Sequence, residues 1–536
     1  MPLDQVTPPE APNISAAAFE AVAARERIAA RYWARTDPIR EQRAFWRAQT
    51  VRHMLHLLPG EEILELASGS GGLTRMLARV TRGECPITAA TFADAPARDA
   101  DWPADWPDVE RVGLASFPGP LAGRAFDHVV ATNLLDLKYG PALLREVMGL
   151  LRPGGRLVFF ETNPWNPVFR LRRALARALP LLRHGDERAL LDQVQLYELF
   201  SELGFIRVVA ICYDFLYSPL PKPLMMLGRN LSLVLENTPG LRRLAGAIVL
   251  QAQRPPADLP RPPVRMTEHR GLHGAVSVVV PCYNEEMNLI PLVRGLLVHY
   301  DEYIREIILV DDNSRDRSRA VMAQLAAAEP RVRPVLRTPP NGVGRALRDG
   351  LAHATGRYVL MMDCDFLHIL PELREMFDAA ARGKDLVLGS RFSRQSVLIN
   401  YPWTKIVCNR SFHLLMMLLF HRKLRDVTNN LKLLSRPVAD DLEITEPWFA
   451  ANAETGLKPI LMGYEPQLVP ISWINRTPEM GQSSFSLLKN GVGYLRVLLG
   501  LAWRTRLGFR PLPRRGAAAG APAEPAAEPV ASSPAP

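Results

Sequence analysis

Two aspartates one residue apart, Asp363 and Asp365, follow the apolar run YVLMM at residues 358–362. Carboxylates held this close repel each other; a hard divalent cation removes the repulsion and draws a diphosphate alongside. Polar strings follow other apolar runs in the same half of the chain: CYNEE (282–286) after AVSVVVP (275–281), DDNSRDRS (311–318) after EIILV (306–310), and SRF (390–392) after DLVLG (385–389). In the first half, EILELA (62–67) runs into SGSGG (68–72) and then an apolar helical stretch, 73–80. A strand, a turn of small residues and a helix let the backbone approach a ligand and point a helix N-terminus at polar or anionic groups.

The elements that must hold these groups alternate strand-like and helix-like along most of the chain, the pattern of α/β domains. The Pro-rich stretch 254–265 (RPPADLPRPPVR) cannot continue a helix or a central strand. It divides the chain into an N-terminal extension (1–40), a first α/β domain (41–253), a linker (254–273), a second α/β domain (274–510) and an Ala/Pro tail (511–536). Length agrees: 536 residues predict two or three domains.

Hydrophobic residues are 48% and charged residues 22% of the chain, an ordinary globular balance that excludes a disordered or fibrous protein. No apolar run reaches the roughly 20 residues needed to cross a bilayer, and the N-terminus carries neither the basic region nor the apolar core of a secretory signal. Five cysteines without a CxxC spacing read as reduced thiols of a cytoplasmic protein. The formal charge of +10 suits either nucleic acid or an anionic membrane. No stacking-aromatic nucleic-acid module is present, and arginines flank apolar helical faces, so the membrane is expected and nucleic acid is not.

The first domain resembles the class I S-adenosylmethionine-dependent methyltransferases over residues 41–253. The resemblance rests on the turn Glu65, Ala67, Gly69, Gly71, on the strand FDHVVAT (126–132) ending at Asn133, and on LLRPGGRL (150–157). It implies a Rossmann-like sandwich with S-adenosylmethionine on Glu65, Ala67, Gly69, Gly71, Asp94 and Asn133. Ala67 stands where that pattern has its first glycine, and Asp94 is the nearest carboxylate after ITAATF (87–92). The alternative reading of this domain is a non-catalytic binding or scaffold module.

The second domain resembles the family 2 glycosyltransferases of the GT-A fold, nearest the dolichyl- or polyprenyl-phosphate mannose synthase-like group. VVVPCYNEEMNL, EIILVDDNSRDRS, GVGRALRDGLAHATGRYVLMMDCD and DLVLGSRF carry it, with DVTNNLKLLS (426–435) and RTPEMGQSSF (476–485). The resemblance implies that Pro281, Tyr283, Glu285 and Asp312 line a nucleotide pocket. Asp363 and Asp365 would hold Mg²⁺ or Mn²⁺ with the diphosphate of a nucleotide-sugar, and Arg391 and Arg476 would meet phosphates. Asp426 and Glu454 would shape the sugar or acceptor site. The implied reaction is an inverting displacement at the anomeric carbon. A polyprenyl-phosphate acceptor would need no general base; a saccharide or lipid hydroxyl would need one, and Glu454 or Asp426 is then the candidate.

Three segments suit an anionic membrane surface. Residues 163–183 put Val168, Leu171, Leu175, Leu179 and Leu182 on one helical face beside Arg170, Arg173 and Arg177. FHLLMMLLF (412–420) is followed by HRK. Leu488, Val492, Leu495 and Leu499 form a stripe beside Lys489 and Arg496, followed by Trp503, Arg504, Arg506 and Arg510. The competing reading is that these stripes pack on a core. Together they place the protein peripherally on the inner, cytoplasmic face of the membrane.

Overall fold

The computed structural model describes residues 14–33, 38–93, 108–178, 189–216, 222–257, 264–393, 396–399, 401–422, 424, 426–474 and 487–514. It is built on two seven-stranded sheets, each flanked by helices.

The first part runs α1 (Ala16–Trp33), α2 (Pro38–Leu55), β1 (Ile63–Leu66), α3 (Gly72–Val80), β2 (Ile87–Thr91), β3 (Val109–Gly113), β4 (Phe126–Thr132), α4 (Gly140–Leu150) and β5 (Leu151–Thr162). It continues through α5 (Pro167–Ala178), α6 (Gln193–Glu202), β6 (Ile206–Tyr213), α7 (Met225–Glu236) and β7 (Ala247–Gln253). The strand order is β3-β2-β1-β4-β5-β7-β6, parallel except for β7. Chain order reverses between β1 and β4, which opens a crevice at their carboxyl ends. β6 and β7 pair antiparallel, with α7 in the connection between them. The boundary at residue 40 needs correction. The extension is not an appendage, because α1 buries Ala18, Val22 and Ala23 in the same core as Leu64, Phe92 and Val129.

The second part runs β8 (Val276–Cys282), α8 (Glu286–Tyr300), β9 (Ile304–Asp311), α9 (Ser318–Ala328), β10 (Val332–Leu336), α10 (Val343–His353), β11 (Tyr358–Met361) and α11 (Leu373–Ala381). Then come β12 (Leu386–Ser390), β13 (Leu398–Ile399), α12 (Trp403–Phe420), β14 (Lys432–Ser435), α13 (Arg436–Asp441), α14 (Ala451–Leu461), β15 (Pro466–Pro470), β16 (Trp473–Ile474) and α15 (Leu487–Arg504). The main sheet has the order β10-β9-β8-β11-β14-β12-β15, and β13 pairs with β16 separately. β8 pairs in parallel with β9 on one side and β11 on the other, so this sheet also has its switch point at two carboxyl ends. β8 and β11 are buried on both faces, which is why they read as continuous apolar runs rather than alternating ones.

The two parts meet through ion pairs on the segment around α11. Arg52 pairs with Glu375 at 2.7 Å, Arg82 with Asp378 at 2.6 Å, and Arg374 with both Glu84 and Glu268. His269 joins Asp378 at 2.8 Å. Glu268, His269 and Asp378 lie close enough together to hold a cation, but Arg82 and Arg374 already neutralise them.

No helix among the described residues is long and apolar enough to cross a membrane. On α5, Val168, Leu171 and Leu175 are exposed rather than packed, so the core-packing reading fails for that stripe. Leu179, Leu182 and the tail after residue 514 lie outside the described residues.

Candidate active site

The carboxyl ends of β8 and β11 open on a cavity of about 340 Å³, within the usual size of a small-molecule site. Pro281, Tyr283, Glu285, Asp312, Asp363 and Asp365 all line it. Asp312 is fixed by two partners: the Gly342 N–H donates to its Oδ2 at 2.7 Å, and Arg337 donates to Oδ1. Burial raises its carboxyl above the ordinary range against these two lowering contacts. The NGVG turn that delivers this N–H accepts only glycine at Gly342, where φ is 154° and a Cβ would lie 2.2 Å from the Pro447 carbonyl oxygen. Asp363 Oδ1 accepts from Asn430 Nδ2 at 2.7 Å. Cys282 and Cys364, scattered in sequence, come together with their sulfurs 3.5 Å apart; they are free, buried thiols.

Arg391 follows β12 and also lines the cavity. Its Nε and Nη2 donate to the two oxygens of Asp426 at 2.9 and 2.7 Å, and its backbone N–H donates to Asp426 at 2.7 Å. The pair is bidentate, the strong and planar form of this contact. It uses one edge of the guanidinium. The other edge meets the Tyr401 hydroxyl at 3.3 Å, and the rings of Phe392, Tyr401 and Trp473 stand 5.8 to 6.0 Å away. Burial lowers the Arg391 pKa, but the Asp426 charge outweighs it and holds the guanidinium protonated.

Asp426 therefore differs from its expected role. It is 1% exposed, and both of its oxygens are engaged by Arg391. It holds Arg391 in place and is not a proton acceptor in the cavity. Glu454 needs the same correction. It is 3% exposed on α14, ion-paired with Lys458, and accepts the backbone N–H groups of Thr445 and Glu446 at 2.9 and 2.8 Å. Its work is to tie down the 445–446 turn. Glu454→Gln should keep kcat within about twofold of wild type while losing about 3 kcal/mol of stability, because it strands the buried Lys458 ammonium. Steady-state kinetics beside a denaturant melt checks this, and a hundredfold fall in kcat with unchanged stability would restore the base.

Further contributors, Asn430 among them, are not singled out by any motif in the sequence. Lys432 on β14 is fully buried, and its ammonium donates to the carbonyls of Asn429 and Asn452. Burial pushes it down to about 7, opposed by the Asp363 and Asp426 charges. Tyr401 and Trp473 complete the wall around Arg391. The lysine's signal is its position in NNLKLLS, a cation inside a strand that otherwise reads as core. Arg476 and Asp94 lie outside the described residues.

In the first sheet, Glu65 in β1 accepts from Thr74 Oγ1 at 2.6 Å and is pushed up to about 8 by burial. Ala67 and Asn133 hold left-handed backbone, φ 55° each, at the mouth of the crevice. The crevice itself is taken by α1. Glu26 is 2% exposed and accepts from the N–H groups of Gly69, Phe92 and Ala93 at 2.8, 2.6 and 3.0 Å. A Cβ on Gly69 would touch Ala30 of the same helix at 3.6 Å. Beside Glu26, Arg25 pairs with buried Asp136 at 2.7 Å.

Residues 277–443, from β8 through α13, match the Glycosyl transferase family 2 model. The polyprenol monophosphomannose synthase of Mycolicibacterium smegmatis is 30% identical over 216 residues, 39% of this chain and 80% of that protein. The chain belongs to glycosyl transferase family 2. The dolichol-phosphate mannosyltransferase of Pyrococcus furiosus is 26% identical over 34% of the chain, which spans about half (52%) of that relative. Among solved structures, glucosyl-3-phosphoglycerate synthase from Mycobacterium tuberculosis with uridine diphosphate matches at 18% identity and a TM-score of 0.34, over 44% of this chain and 83% of its own.

Proposed function

We propose that the second domain moves a sugar from a nucleotide-diphosphosugar to a polyprenyl phosphate. One observation carries the choice of acceptor. Both carboxylates that the sequence nominates as base for a hydroxyl acceptor are consumed by ion pairs, Asp426 by Arg391 and Glu454 by Lys458. A phosphate acceptor is already anionic and needs neither. Its oxygen attacks the anomeric carbon, the bond from that carbon to the diphosphate breaks, and a nucleoside diphosphate leaves with no proton moved. Arg391, held charged, stands ready for the growing negative charge.

Asp363 and Asp365 fit a divalent cation. They are hard oxygen donors beside the cavity, and Asn430 and the buried Lys432 moderate the charge of Asp363. Mg²⁺ or Mn²⁺ held there would neutralise the diphosphate and stabilise it as leaving group.

The lipid reading also draws on α12 and α15. Lys405, Asn409 and Phe412 on α12, and Tyr494 on α15, face the cavity. On the same helices, Trp403, Val407, Leu414 and Leu418, and Val492, Leu495, Leu499 and Trp503, are exposed. One face serving the site and the other left apolar, with Arg496, Arg504 and Arg506 alongside, suits peripheral binding to an anionic bilayer. The test is acceptor choice: vesicles carrying polyprenyl phosphate should accept labelled sugar, and the same vesicles carrying the free polyprenol should not. Equal transfer to the alcohol would refute the reading.

For the first domain we adopt the scaffold reading. Its residues do not fit S-adenosylmethionine. Glu26 already binds the Gly69 N–H of the turn and the Phe92 and Ala93 N–H groups after β2, and Glu65 is buried and engaged by Thr74. Calorimetry on the full chain with millimolar S-adenosylmethionine should show no binding heat. A dissociation constant in the micromolar range would return this domain to the methyltransferases.

A further inference from the structure

Beside the ion pairs around α11, the two domains also meet at the wall of the sugar-transfer cavity. Leu233 of α7, a first-domain residue, is buried among Phe392, Leu398, Tyr401 and Ile406, and Trp473 packs on the same cluster. Nearly one turn earlier on α7, Asn230 Oδ1 accepts from Arg410 at 2.9 Å; the Arg410 guanidinium lies 4.9 Å from the Phe392 ring. Val397, which precedes β13, is buried in a first-domain core with Trp46, Phe160, Met225 and Val249. A polar chain runs in parallel. His53 of α2 contacts Glu372. Glu372 accepts the Ser472 N–H at 3.1 Å, and Ser472 Oγ accepts the Val397 N–H at 2.9 Å. The Trp473 N–H then donates to the Val397 carbonyl at 2.9 Å.

We propose that the first domain takes part in sugar transfer as a brace: α7 and His53 fix the Arg391–Tyr401–Trp473 wall against which the lipid phosphate and the leaving diphosphate are aligned. β13 and β16 are two residues each, too short to hold their own geometry. Their outer support comes from the other domain, through three separate anchors. A displacement of about 1 Å in such a wall is enough to slow a positioned reaction about a hundredfold. Leu233, Asn230 and His53 are positioning residues: Leu233 touches the wall, Asn230 and His53 reach it through Arg410 and Glu372, and none of them lines the cavity. The proposal rests on Arg391 facing phosphate, as argued above.

The test uses full-length variants. Leu233→Ala should lower kcat/KM for polyprenyl phosphate about tenfold or more. Affinity for a nucleoside diphosphate with Mn²⁺ (UDP and GDP by calorimetry) should stay within about twofold. Amide hydrogen exchange should quicken at 396–399 and 471–474, and Leu233→Met should recover most of the loss. Leu196→Ala supplies the control: it truncates a buried side chain in the first domain's other core, so it should cost similar stability and leave the kinetics unchanged. Wild-type kinetics in Leu233→Ala, or an equal kinetic loss in Leu196→Ala, would overturn the brace. If wild type itself ignores polyprenyl phosphate, the acceptor reading has failed, and the exchange result alone then decides whether the wall is braced.

Discussion

Asp363→Ala and Asp365→Ala should each lower sugar transfer about a thousandfold, about 4 kcal/mol of barrier, with the fold intact. Both side chains line the cavity at the carboxyl end of β11, and neither supports a core. Removing one carboxylate removes a hard ligand for the cation that the leaving diphosphate needs. Thermal melts near wild type and undiminished secondary structure should accompany the loss. Excess chelator should reproduce it in the unmodified protein, and added Mn²⁺ should reverse the chelator but not the substitutions. Full turnover in either variant would remove the metal from the reaction.

Arg391→Ala should be the second large effect, in both activity and stability. Activity should fall at least a hundredfold, because a preorganised cation facing the phosphates is lost. Stability should fall by about 3–5 kcal/mol, because Asp426 is left buried without its partner. The double variant Arg391→Ala/Asp426→Asn separates the two. It should recover most of the stability and none of the activity, since Asp426 acts only through Arg391. Arg391→Lys should recover little, because an ammonium cannot reproduce the bidentate pair. A double variant that regained turnover would show that Arg391 is only structural.

The positions of Pro281, Tyr283, Glu285, Asp312, Asp363 and Asp365 were legible because each polar string directly follows a strand, and the strands' apolar runs announce where the sheet's carboxyl edge lies. What was not legible is partnership across the chain. Arg391 and Asp426 are 35 residues apart and meet only when β12 and the loop before β14 come together. Read singly, each is a plausible site residue; read as a pair, one positions the other. Glu454 and Lys458 carried a local signal, four residues apart on one helix, that would have argued for an ion pair over a base. The first domain's glycine turn was visible, but its occupant was not. Glu26 lies 43 residues before Gly69, in a segment read as an extension, although Ala18, Val22 and Ala23 already form an apolar helical face there. The wall residues Tyr401 and Trp473 had no motif at all, because aromatic rings around an arginine are set by tertiary packing.

The central claim is a glycosyl phosphate product made without a general base. The most direct measurement is the chemistry of that product. After incubation of the full chain with a labelled nucleotide-sugar, Mn²⁺ and vesicles carrying polyprenyl phosphate, the lipid-extractable label is treated with mild acid. Mild acid should release the sugar and return the lipid phosphate. A lipid product that keeps its label through mild acid, or transfer to a water-soluble hydroxyl in the absence of lipid, would contradict it.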